Sequence, residues 1–213
     1  MRRFCSYFGL LFILNISLVS GQNVNKIIKN VQKTYDRMDN LSATFRQLES
    51  FKLTGTKSET EGRIFVKNGT KYRFESEDQV IVTDGDTVWT YNNISKQLLI
   101  DRVRKNSGAL LPRDLLFKYP KKYYATLLNT EKTDGKTIYL IRLDPQEGSH
   151  SYFQNIKLWV EKGNWHIRKI ETTDLNGNST TFQIRNMDTQ TKLADDLFIY
   201  KPPAGAEVVD MRK

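Results

Sequence analysis

The chain is poor in the residues that carry most catalytic and metal chemistry. Its 213 residues include one cysteine, Cys5, and two histidines. A single thiol excludes an internal disulfide framework and any metal site built on several thiolates. His150 lies in a polar loop and His166 beside Trp165. Neither has a second ligand at metal spacing, so each reads as a surface or strand residue. No glycine-rich phosphate loop, H-E-x-x-H or G-x-S-x-G occurs. The acidic groupings, Glu75 with Glu77 and Asp78, and Asp195 with Asp196, sit next to turns and read as solvated. No enzyme, metal or cofactor is expected.

Long apolar runs are also scarce, and the exception is at the start. Arg2 and Arg3 precede the run Phe8–Val19, and Val19 and Gly21 are small residues suited to a cleavage site before Gln22. The run is shorter than the roughly 20 residues a spanning helix needs. Residues 1–21 therefore read as a secretory signal peptide, and 22–213 as one domain exported to the periplasm. Cleavage would remove Cys5. It would also take Arg2 and Arg3 from the 33 basic residues, leaving 31 against 24 acidic ones, a charge of +7. So mild an excess suits anionic lipid headgroups or acidic partners and gives no reason to expect nucleic-acid binding.

What the chain does have is periodicity. Val24, Ile27, Ile28, Val31, Tyr35 and Met38 form one apolar stripe at helical spacing. From Ser42 the period changes to two. Short strands are predicted over residues 42–51, 63–67, 71–75, 79–83, 87–91 and 97–102, then 124–130, 137–143, 156–161, 165–172 and 180–187. A last strand is expected to include Phe198–Tyr200. Asn68-Gly69, Asp84-Gly85, Asp134-Gly135, Lys162-Gly163-Asn164 and Asn176-Gly177 mark hairpin turns between them. Between the two series, Pro112, Leu115, Leu116 and Phe117 suit a short apolar helix. The prediction is a mainly β fold. About eleven antiparallel strands form a curved, half-open barrel, covered by an N-terminal helix and a short central helix. Sheet and helices would enclose a hydrophobic cavity, the usual form of a small-ligand site.

Several stretches then point to a family. Leu41-Ser42-Ala43-Thr44-Phe45-Arg46-Gln47, Gly62–Val66 with Tyr72-Arg73-Phe74, and Val82–Asn92 with its Asp-Gly turn and Trp-x-Tyr follow in order. The ending runs from Phe198 to Pro203-Ala204-Gly205-Ala206-Glu207-Val208. Together they resemble the periplasmic outer-membrane lipoprotein carrier family, LolA. The resemblance implies a half-barrel with a helical lid, binding the acyl chains of lipoproteins. These would be received from an inner-membrane ABC transporter and passed to an outer-membrane acceptor. It implies a monomer, with Ile64, Val66, Tyr72, Phe74, Val80, Val82, Trp89, Tyr91, Leu98 and Ile100 lining the cavity. Val31, Tyr35, Leu111, Leu115, Leu116 and Phe117 would form the lid. One departure is Asn68-Gly69, where the family usually has Arg-Pro. Asn68 has neither the charge nor the reach of the arginine that holds the family's lid closed. The alternative reading is a sensing module on the same sheet, which binds lipids or lipoproteins and signals to a membrane protein.

Overall fold

The structure is a computed structural model that describes residues 24–103, 123–149 and 151–212. The proposed signal peptide, the predicted central helix with Leu111, Leu115, Leu116 and Phe117, and His150 lie outside the described residues.

The predicted apolar stripe becomes helix α1, Val24–Asp36, which buries Ile27, Ile28 and Val31. Six strands follow: β1 Asn40–Ser50, β2 Lys57–Lys67, β3 Lys71–Ser76, β4 Gln79–Thr83, β5 Thr87–Asn92 and β6 Gln97–Arg102. A second series holds β7 Tyr123–Thr133, β8 Lys136–Pro145, β9 Phe153–Glu161, β10 Ile167–Asp174 and β11 Ser179–Asp188. The chain closes with a 3-10 turn, Asp195–Phe198, and a short strand β12, Glu207–Asp210. All twelve strands form one sheet in the order β12-β6-β5-β4-β3-β2-β1-β11-β10-β9-β8-β7. The sheet is curved and does not close: β12 and β7 are its two edges.

Turn chemistry explains the local order. Asn68 and Gly69 both have positive φ (50° and 63°), as do Asp134 and Gly135 (51° and 73°). That conformation matches the twist of a two-residue hairpin. At Asp84-Gly85 the Asp84 carboxylate accepts from the backbone N–H groups of Asp86 and Thr87.

The predicted ending differs in two ways. Phe198–Tyr200 is not a strand. Its first residue ends the 3-10 turn, and the stretch crosses the sheet rather than joining it. The last strand is β12, which pairs parallel with β6 because the chain returns to that edge after crossing a face of the sheet. Trp165 is likewise outside β10. At a φ of +60° it sits in the turn, with its ring stacked 6.3 Å from that of Tyr139.

β1 pairs with β2 on one side and β11 on the other, so it joins the two series. At this seam Phe45 stacks on Phe74 with ring centroids 4.5 Å apart and meets Phe182 edge-on at 6.0 Å. The Phe45 ring lies over Gly62, its cross-strand partner. A Cβ on Gly62 would come within 2.5 Å of that ring and 2.0 Å of the Glu75 carbonyl oxygen. The glycine is needed for close approach. Gly62→Ala is expected to destabilise the fold by about 1–3 kcal/mol or more through overpacking. The denaturation midpoint should fall accordingly, and an unchanged midpoint would contradict this packing.

Candidate functional site

Directly paired residues on neighbouring strands share a face of the sheet. Ala43, Ile64, Phe74, Ile81, Thr90 and Leu99 therefore form one row across β1–β6. A second row, Leu41, Val66, Tyr72, Thr83 and Val88, runs beside it. The same face continues through Ile184 and Phe182 into Ile170, Leu158 and Ile141. We call it the inner face, because α1 packs on it.

The two halves of the inner face differ in cover. Over β7–β11, Ile27, Ile28 and Val31 of α1 pack with Tyr139, Ile141, Ile156, Leu158 and Val160. None of those five strand residues exceeds 1 % exposure. Over β2–β6, Val66, Phe74, Ile81, Val88 and Leu99 are only half-buried. Apolar surface is thus continuous from a sealed core onto a more open floor.

The opposite, outer face carries a core of its own. Residues 193–200 form a strap across it. Lys67 donates to the Leu193 carbonyl at 2.8 Å, and Arg73 to that of Leu197 at 3.2 Å. Lys67 and Lys71 both pair with Asp195, at 3.1 and 2.7 Å. Their ammonium groups, Lys71 first, hold the Asp195 carboxyl below its usual range. The Tyr200 ring packs 5.6 Å from that of Tyr91, and Phe198 is fully buried.

Register divides the ten predicted cavity residues. Ile64, Val66, Tyr72 and Phe74 lie on the inner face. Val80, Val82, Trp89, Tyr91, Leu98 and Ile100 pair among themselves on the outer face, level with Glu75 and Arg73. The structure does not bring the ten together. The expectation that Trp89 and Tyr91 share a floor with Tyr72 and Phe74 is corrected by the pairing of Phe74 with Ile81 and of Ile81 with Thr90. Val82, Tyr91 and Leu98 are instead buried to 0–5 % exposure on the strapped side. Ile81, Val88 and Leu99 are the inner-face residues that sequence reasoning missed. Residues 80–82 and 98–100 are apolar at consecutive positions, which hides the alternation. Counting outward from the two-residue turn Glu77-Asp78 would have revealed it.

Of the predicted lid residues, Val31 and Tyr35 are described. Val31 is fully buried in the core under α1. The Tyr35 hydroxyl accepts a 3.1 Å hydrogen bond from the Ile167 N–H, tying the end of α1 to β10. The corner it docks on is braced by Glu161, which pairs with Arg168 at 2.5 Å and Lys136 at 3.2 Å. Asn68 contributes only its backbone, donating N–H to the Asp39 carbonyl at 2.8 Å. An open, polar cleft of about 670 Å³, lined by Asp86, Thr87, Arg102, Val103, Asp210 and Arg212, lies apart from the apolar face. Among the described residues no group of His, Cys, Asp and Glu could hold a metal ion, and no helix is long and apolar enough to span a membrane.

An open twelve-stranded sheet with an apolar inner face and one packed helix is a half-barrel scaffold with an uncovered apolar surface, and comparison with known proteins places it in a family. The family described as "Outer membrane lipoprotein carrier protein LolA" matches residues 36–201. The chain belongs to that family. A Haemophilus influenzae outer-membrane lipoprotein carrier protein is 28 % identical over 207 residues, covering 96 % of this chain and 94 % of the relative. One from Legionella pneumophila is 24 % identical, covering 93 % and 98 %. Among solved structures, a conserved protein from Thermus thermophilus superposes with a TM-score of 0.59 at 16 % identity, covering 89 % of this chain and 99 % of that one. MucB superposes with a TM-score of 0.52 at 17 % identity, covering 89 % and 66 %. These two likenesses concern the fold. The family is one of binding and transport proteins rather than enzymes.

The Tyr35 contact yields a test. Burial pushes its hydroxyl up to about 12, while the Ile167 hydrogen bond and Arg168 pull the other way. A folded-state value above the unfolded one means stability present below pH 10 and lost as the pH rises toward 12. The loss is at most about 3 kcal/mol. Tyr35→Phe is expected to remove this contribution to alkaline unfolding. At neutral pH it should cost about 1–3 kcal/mol for the unpaired Ile167 N–H. Parallel denaturation curves of the two proteins at pH 7 to 12 would refute the contact.

Proposed function

We propose that the protein is a periplasmic carrier that binds the acyl chains of lipoproteins on its inner face. The observation behind this reading is the half-buried apolar floor of Val66, Phe74, Ile81, Val88 and Leu99, continuous with the sealed core beneath α1. Family membership supports it, and so do relatives that bear the name of outer-membrane lipoprotein carrier protein. Exposing an acyl chain to water costs about 0.8 kcal/mol per CH₂, so a sixteen-carbon chain costs roughly 12 kcal/mol. Transfer between membranes across water needs a sheltering surface of this kind.

On this reading residues 1–21 are the export signal, removed from the working protein. An ABC transporter in the inner membrane loads the carrier, and an acceptor in the outer membrane unloads it. Release requires binding to remain moderate, and a floor that is apolar yet incompletely buried meets that requirement. The outer-face residues Val82, Tyr91 and Leu98 hold the sheet in shape and do not touch cargo.

Uptake of a fluorescent acyl probe, followed by titration, tests the assignment. Ile81→Glu and Leu99→Glu place a carboxylate on the open floor and are expected to weaken uptake at least tenfold with a near-native circular dichroism spectrum. Tyr200→Ala should lower stability and leave uptake within about twofold. If the wild-type protein takes up no probe, or the floor variants match it, the reading fails.

A further inference from the structure

The two rims of the sheet are built differently. One carries the turns Asn68-Gly69-Thr70, Asp84-Gly85-Asp86, Asp134-Gly135 and Lys162-Gly163-Asn164. None of these turns shows an exposed large apolar side chain. On the other rim, the turns joining β1 to β2, β8 to β9 and β10 to β11 each show at least one: Leu53 at 97 % exposure, Tyr152 at 72 % and Leu175 at 64 %.

Register places these three tips at one height. Ser50 pairs with both Lys57 and Ser179, and Thr173 pairs with both Ser179 and Asn155. Strand order makes the tips successive along the edge, at steps of about 10 Å for strands about 4.8 Å apart. The neighbouring β3–β4 turn is set back, because Ser76 lies opposite Gly62, five residues short of Lys57. At about 3.4 Å per residue the β1–β2 hairpin projects some 17 Å beyond it.

Exposure here is constructed rather than left over. Phe51 N–H donates to the Thr56 carbonyl at 2.9 Å and Gly55 N–H to that of Phe51 at 2.8 Å, closing the loop with Leu53 outside. The Asp174 carboxylate accepts from the N–H groups of Asn176 and Asn178, turning Leu175 outward. Ser151 Oγ accepts from Phe153 N–H next to Tyr152. The turns also brace one another. Lys52 N–H donates to Asn178 Oδ1 at 3.1 Å, and Gln154 Nε2 to the Leu175 carbonyl at 3.2 Å.

We propose that this projecting rim docks on the surface of a phospholipid bilayer with anionic headgroups. Separate apolar tips about 10 Å apart suit a soft surface into which each can dip, whereas a protein partner wants a contiguous patch. Lys52 and Lys57 flank Leu53, and the Lys52 stem lies along the β10–β11 turn beside Gly177. They offer two ammonium groups at headgroup level, against Glu147 on the β8–β9 turn and Asp174 at the base of the β10–β11 turn, whose carboxylate is taken up by the N–H groups of Asn176 and Asn178. The inner face plays no part in this contact, so docking and cargo binding can be lost separately.

The test uses the chain as the host secretes it, with vesicles of phosphatidylethanolamine and phosphatidylglycerol. Wild type is expected to co-sediment with the vesicles. The triple variant Leu53→Asp, Tyr152→Asp, Leu175→Asp should lose at least tenfold in partitioning with unchanged acyl-probe uptake. Leu99→Glu should do the reverse. The secreted chain, from which Cys5 has been cleaved, has no other cysteine. An environment-sensitive dye can therefore be placed on Leu53→Cys alone and should shift to the blue when vesicles are added. The same dye on Lys162→Cys, on the opposite rim, should not. Equal partitioning of wild type and triple variant, or no binding by wild type, overturns the proposal. So would a wild-type dimer that the triple variant abolishes, since the rim would then join two copies of the chain.

Discussion

Everything in this molecule depends on the pairing of β1 with two partners. From Asn40 to Ser50 it is bonded to β2 on one side, and over most of that length to β11 on the other. This joins two hairpin series far apart in the sequence into one sheet. Because side chains alternate at period two, the same pairing decides which residues of all twelve strands face inward. Phe45, set over Gly62 and between Phe74 and Phe182, fixes that register at the seam. A one-residue slip would exchange the apolar floor for the row of Arg73, Glu75 and Arg63.

The elements were legible because each rests on a local signal: the 3.6-residue stripe of α1, and glycine turns whose φ angles only a few residue types accept. The site was legible as a class but not residue by residue. Tyr72 and Phe74 alternate with Lys71, Arg73 and Glu75, so their face was evident. Val80-Ile81-Val82 and Leu98-Leu99-Ile100 are apolar on both faces, and pattern alone cannot orient them. Both faces of these strands are partly covered because residues 193–200 fold back over the outer side. That strap is held by Lys67, Lys71 and Arg73, contacts spanning more than a hundred residues, which no local pattern announces.

The strap also bears on how an apolar surface can stay open. A curved sheet with one apolar face gains free energy by closing on itself, and a chain that did so would shelter no cargo. Here the outer face of β3–β6 is packed in its own right, with Val82 and Phe198 fully buried and Leu98 nearly so. Further bending would have to disturb that second core, whose packing resists small changes of shape. The half under α1 is satisfied by the helix, and the seam at Phe45 is stiffened by stacking. What remains is a floor that the fold can neither fill with its own strands nor remove by curling. An apolar surface kept available by rigidity on its reverse side is well suited to accepting a chain that water rejects, and to giving it up again.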